Sequence, residues 1–216
     1  MKKYEFTGET KQVGFFGNIT LKRIRATMEF GIIKIGDLGG WIEKEENLSH
    51  KGNAWVYDNA KVYGNAKVCG NAKVCGDAKV YDNAKVCGDA KVYDNAEVYD
   101  NAEVWGDAKV YDNAEVYDNA KVYGNAKVCG DAKVFSISHV LVIGPIGSRN
   151  DFTTFFRDKD SEITVKCGCF LGKIDKFLEK VCETHGDSKY AIVYRTAAEI
   201  AKQQIDLSEE NNYEIK

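Results

Sequence analysis

Proline is almost missing from this chain, with one residue in 216. Turns must therefore come from Gly, Asn and Asp, which reach tight or left-handed geometry without a fixed ring. Net charge is small as well, at −3, which gives no electrostatic footprint for a nucleic acid polymer or an acidic membrane as partner. No run of eighteen apolar residues occurs, and the N-terminus MKKYEFTGETK lacks the apolar stretch of a signal peptide. These absences point to the cytoplasm. Cysteine is present seven times, an odd number. Four of the seven stand where Tyr otherwise stands in a repeat, which reads as a tolerant packing position and not as a disulfide framework.

What the chain has in excess is one six-residue phrase. From Asn53 to Ser136 fourteen hexads follow without insertion, as in DNAKVYGNAKVCGNAKVCGD at residues 58–77. Ala is always second and Val always fourth; the third residue is Lys or Glu apart from Trp55. The fifth is Tyr, Cys, Trp or Phe, and the sixth is Gly or Asp apart from Ser136. A fixed short period with one small and one β-branched residue per unit signals a solenoid. A helix is a poor reading, because a six-residue period does not stay on one face of a 3.6-residue turn. In a strand, Ala and Val lie two apart and point inward, while the third and fifth residues point outward. A sixth-position Asp is always followed by Asn, never by Asp, which keeps carboxylates from crowding at the corners.

The repeat resembles the hexapeptide-repeat, left-handed β-helix superfamily, in which three hexads make one triangular coil. One departure is that an aromatic residue or Cys follows the aliphatic one, where that family prefers a small or polar residue. Eighteen residues per coil implies about five coils and sorts the outward residues into columns. Tyr63, Tyr81, Tyr99, Tyr117 and Phe135 share one face. Tyr57, Cys75, Tyr93, Tyr111 and Cys129 share a second with Lys73, Lys91, Lys109 and Lys127, and Cys69, Cys87, Trp105 and Tyr123 share the third. A single chain rarely exposes so long an aromatic strip. The rings could stack simply for rigidity; the resemblance implies instead that the Tyr63–Phe135 face is buried in a homo-oligomer, most simply a homotrimer.

The flanks divide the rest. Residues 1–52 read as an N-terminal β cap, with YEFT and ITLKRIRATMEF as strands, and His50 falls at a Val position of an imperfect hexad. Residues 53–142 form the β-helix, closed by the degenerate hexad ISHVLV. Residues 143–206 read as a small C-terminal α+β unit, and 207–216 as a frayed acidic tail. In that unit Phe152–Arg157 and Glu162–Phe170 suggest a hairpin. Ile174, Phe177, Leu178, Val181 and Cys182 keep one-face helical spacing, and a second helix follows over about 190–205. The fold class is thus mainly β. Three stretches, GDLGGWIEKEENLS, IGPIGSRNDFTTFFR and CGCFLGKIDKF with THGD, are similar to a phage and prophage family of hexapeptide-repeat proteins. That resemblance implies a bacterial host cell and leaves activity open.

The best constellation for chemistry is Gly147, Ser148, Arg149 and Asn150, with Thr154, Arg157 and His185. A glycine-rich turn aims N–H groups at an anion, and an Arg fork suits phosphate. Paired arginines in a plain tight turn are the competing reading. Cys167, Cys169, Cys182 and His185 have a spacing that could close on zinc, but Cys182 already belongs to an apolar helix stripe, so no metal and no cofactor are expected. Acyl transfer, which hexapeptide repeats suggest, would need a His between coils; the regular hexads have none, leaving His139 in the closing coil. The expected function is a non-catalytic binding protein: a β-helix oligomerisation rod presenting Arg and Gly loops to a small phosphorylated ligand. With the phage resemblance, that ligand class includes nucleotide signals of bacterial antiviral defence. An acyltransferase, a nucleotide phosphodiesterase using His139 or His185, and a purely structural rod are the alternatives.

Overall fold

A computed structural model describes residues 2–208; residues 209–216, most of the tail expected to fray, lie outside the described residues. The third and fourth residues of each hexad form a two-residue strand, from β4 (Trp55–Val56) at six-residue intervals to β17 (Lys133–Val134). Each strand pairs in parallel with the one eighteen residues on, so three sheets run along the rod. Two columns of hexad strands have five members and the third has four, giving a β-solenoid of about five coils. Every hexad Ala and Val is buried, and they form one continuous core. The backbone bonds run between coils, as from Lys61 N–H to the Ala78 carbonyl at 2.9 Å and Tyr63 N–H to Val80 at 3.1 Å.

The corners explain the other hexad positions. Asp58, Asp82, Asp94, Asp100, Asp112 and Asp118 all hold φ between 51° and 60°, the left-handed region that Asp tolerates better than most residues. The Asp58, Asp94 and Asp112 carboxylates also accept from the sixth-position N–H one coil away, Asp112 from Gly130 at 3.0 Å. First-position amides stack in ladders, Asn65 to Asn83 at 3.2 Å and Asn83 to Asn101 at 3.3 Å.

The fifth-position rings do stack. Tyr63, Tyr81, Tyr99 and Tyr117 lie 4.9–5.0 Å apart within 5° of parallel, and Phe135 ends the column at 5.4 Å. The Tyr81 and Tyr99 hydroxyls donate to Glu97 and Glu115 at 3.0 and 3.3 Å. The third face corrects the reading of cysteine: Cys69 and Cys87 are joined by a disulfide, with Cα atoms 4.7 Å apart. Neighbouring coils place equivalent residues about 4.8 Å apart, inside the range a disulfide spans. Two cysteines one coil apart in a column therefore meet even though each replaces a Tyr, whereas Cys75 and Cys129, three coils apart, stay free.

The N-terminal cap is an antiparallel unit of β1 (Tyr4–Val13) and β2 (Ile19–Ala26), joined to β3 (Leu38–Ile42), which runs parallel to the solenoid strand at Lys61–Val62. It covers the open end of the core. Trp55, the one aromatic residue at a third position, is fully buried there, with the Tyr4 and Phe30 rings edge-on to it. Gly39 and Gly40 press so close that an added Cβ would overlap Trp55 and the Ala60 carbonyl, which gives the GDLGGW phrase its physical reason. His50 does not take a Val position. Leu48 pairs with Val68 instead, because coils before the first hexad are two residues longer. His50 stacks on Tyr4 and accepts from the Lys3 N–H at 3.1 Å.

At the other end a 3₁₀ turn (Ile137–His139) leads into β18 (Val140–Ile146), β19 (Asp151–Arg157), β20 (Ile163–Cys167) and β21 (Phe170–Lys173), an antiparallel sheet in that order. Helices α1 (Ile174–His185) and α2 (Lys189–Gln204) pack on it around Phe155, Val165, Phe177 and Tyr194. Among the described residues no helix is long and apolar enough to cross a membrane.

Candidate functional site

The tight turn between β18 and β19 sets the site. Gly147 and Asn150 hold φ of 70° and 51°, and an added Cβ at Gly147 would overlap the Tyr194 hydroxyl. Only glycine lets the turn lie against α2. That hydroxyl bonds with Ser148 and Cys167, and burial, then the Cys167 sulfur, raises its pKa. Thr153 Oγ1 donates to the same sulfur at 3.3 Å.

Beside this knot lies a cavity of about 440 Å³, a size suited to a small ligand. Phe170, Phe177 and Val181 supply an apolar floor, while Ser148, Arg149, Lys180 and His185 line the polar side. His185 ends α1 and stacks on Tyr194 at 5.6 Å between ring centres. Arg149 is exposed, with Nη1 3.9 Å from the Cys169 sulfur. Lys180 reaches Glu183 on its own helix at 3.0 Å. The opening is thus cationic and hydrogen-bonding over an aromatic base.

Of the residues singled out in the sequence, Ser148, Arg149 and His185 meet at this cavity, and Gly147 and Asn150 shape the turn beside it. Thr154 and Arg157 go elsewhere. Arg149 precedes and Arg157 ends a seven-residue strand, so about 20 Å separates them at the rise of extended chain. Thr154 is buried and accepts the Lys127 N–H at 3.0 Å. Arg157 is buried too, its guanidinium 4.7 Å from the Phe135 ring centre and donating to Ser161 at 2.6 Å. Both residues dock the terminal unit onto the last coil. Phe177, Lys180 and Tyr194 were missed as site residues. Phe177 and Tyr194 keep the helical period of the core and Lys180 reads as one more exposed charge on α1, so nothing in the spacing separates lining from core.

The other candidates resolve differently. His139 is 2% exposed, accepts from the Phe135 N–H at 3.3 Å and lies edge-on to that ring, so no substrate reaches it. Cys182 is exposed on α1 and is absent from the cavity lining that holds Cys167, Cys169 and His185. Among the described residues the group that gathers as metal ligands would is Asp158, Asp160 and Glu162. Its centre is taken by the Lys173 ammonium, at 2.7, 3.3 and 2.6 Å from the three.

Comparison with known proteins adds little beyond the repeat. No family model matches the chain. A stretch of 63 residues is 35% identical to an uncharacterized acetyltransferase, YdcK, of Escherichia coli (strain K12). The match covers 27% of this chain and 19% of that protein. Solenoid and match together fit a hexapeptide-repeat β-helix.

Proposed function

We propose that this chain is a ligand-binding protein, not a catalyst, in which the β-solenoid is a rigid rod and the C-terminal cavity holds a small phosphorylated molecule. The observation that supports this reading is the cavity's division of labour. Phe170, Phe177 and Val181 offer an apolar and aromatic surface, and Arg149, Lys180 and Ser148 stand at its mouth. A nucleotide matches both halves: a flat base for the rings and a phosphate for the guanidinium, which takes it bidentately. The flanking motifs extend the reading to a phage-encoded protein that sequesters a nucleotide signal of antiviral defence. A thermal-shift panel of mono-, di- and cyclic nucleotides tests it. At least one is expected to raise the melting temperature. Arg149→Ala removes a charge-assisted contact of about 1.5–3 kcal/mol, or about tenfold to a hundredfold in affinity. No shift with any nucleotide sinks the proposal.

The acetyltransferase match favours a second reading, acyl transfer from a thioester. Against it, His139 is enclosed, and the regular hexads contain no His. Among the described residues His185 is the histidine that lines a cavity of the terminal unit. Thiol release from acetyl-CoA that disappears in His185→Gln would put this reading ahead of the first.

A further inference from the structure

We infer that the solenoid face bearing Lys73, Lys91, Lys109 and Lys127 is a trough for a linear acidic polysaccharide, a chain carrying both carboxylates and hydroxyl groups. The four lysines stand in register, each paired through its strand with the next. Their stems therefore leave the rod at intervals of about 4.8 Å, and the column spans about 14 Å. The other two faces mix signs at the same position and pair them. Lys79 meets Glu97 at 2.6 Å, and Lys85 and Lys121 meet Glu103 at 3.0 and 3.9 Å. On this face no glutamate enters the row. Among the described residues Lys73, Lys91 and Lys109 make no ion pair, and Lys127 reaches Asp151 at 3.8 Å. Four like charges in a column repel one another, and the repeat relieves that repulsion on its neighbouring faces with Glu. Here Asp89 and Asp107 of the flanking row offset part of it, and an external anion offsets the rest.

The column also lies in an open groove. First-position side chains from Asn53 to Asn125 flank it, and Phe30–Ile33 of the cap closes the end near Tyr57, leaving about 760 Å³. The flanking row selects the kind of anion. Asp89 and Asp107 stand in it with Asn71 and Asn125, and an ionised carboxylate can only accept hydrogen bonds. A polyphosphate chain or a nucleic acid backbone offers acceptors there and meets repulsion. An acidic glycan gives its carboxylates to the lysines and its hydroxyl donors to Asp89 and Asp107. The net charge of −3 conceals this column because it averages over all three faces.

Calorimetric titration of the whole chain with polygalacturonate oligomers of graded length tests the trough. Binding is expected that weakens as salt rises, needs oligomers long enough to span several lysines, and is absent for neutral galactan oligomers. Lys91→Gln with Lys109→Gln is expected to weaken it at least tenfold, while Lys67→Gln with Lys133→Gln, on the other faces, leaves it unchanged. Asp89→Ala with Asp107→Ala separates the anion classes: a glycan loses acceptors and binds less, whereas a phosphate chain loses repulsion and binds more. Because these Asp residues sit at corners, the melting temperature of the Ala variant is measured first, and if it melts early the direct comparison of polygalacturonate with polyphosphate on the parent chain carries the same distinction. Failure of polygalacturonate to bind overturns the inference. So does tighter binding of inorganic polyphosphate or single-stranded oligonucleotide.

Discussion

At the residue scale the hexad is a set of conformational demands, and its sixth position makes the hardest one. Asp94 holds φ of 59°, where an L side chain without a local hydrogen bond costs about 1–2 kcal/mol. Asp94→Ala should therefore lower stability by about that amount in urea titration, and Asp94→Gly should stay within about 0.5 kcal/mol of the parent. A loss as large for Gly as for Ala would mean that the carboxylate, not the backbone, matters there. This demand was legible in the sequence, because Gly and Asp alternate where nothing else does until Ser136. The fate of His50 was not. It depends on the two extra residues per coil before Asn53, which set Leu48 and not His50 opposite Val68. A pattern read backwards from regular hexads carries no mark of that change in coil length.

At the scale of elements the joint between rod and terminal unit is a polar knot at the β19–β20 turn. Asp158 accepts from the Asp160 and Glu162 N–H groups, the Thr164 hydroxyl and the Lys173 ammonium. Lys159 pairs with Asp131 on the last coil at 2.7 Å. Burial alone would raise the Asp158 pKa; Lys173, Thr164 and the Glu162 N–H outweigh it and hold the carboxyl below its ordinary 3.8. A depressed carboxylate stabilises the fold above its unfolded value, and that contribution is lost as pH falls through the folded one. Lys173→Met should thus cost about 2 kcal/mol near neutral pH, the value of a charged hydrogen bond in a partly open site. The difference from the parent should shrink below about pH 4, as the unfolded carboxylate protonates first and the folded Asp158 follows at lower pH. An equal deficit at pH 7 and pH 3 would show that lost packing of the lysine stem, not charge, is responsible. The two helices and the β19–β20 hairpin of this unit could be read from the sequence, but β18 could not, because Val140–Val142 pass for the end of a closing hexad and instead pair antiparallel with β19. The knot could not, since it joins residues fifteen apart through a turn whose acids look like ordinary solvent-facing charge.

At the scale of the whole molecule the open question is what the aromatic column does. Within one chain the rings already cover one another's faces, and Glu97 and Glu115 engage two of the hydroxyls. Their outer edges, however, form a straight and rigid half-buried strip along most of the rod, next to sheets that hold their register without it. A flat strip of that kind costs no ordering entropy to bury, which favours self-association over a mobile patch of the same area. Three rods meeting along Tyr63–Phe135 would also group three terminal cavities at one end. Light scattering on the purified protein should then give three times the 24.1 kDa chain mass. Tyr81→Arg, which places a charge mid-strip, should reduce it to one chain mass while leaving the β signal in circular dichroism intact. Trp105→Arg, on the disulfide-bearing face and 46% exposed, should leave the trimer whole. A parent protein that is monomeric over the micromolar range would assign the column to internal rigidity alone. A trimer broken by Trp105→Arg and not by Tyr81→Arg would move the interface to the third face.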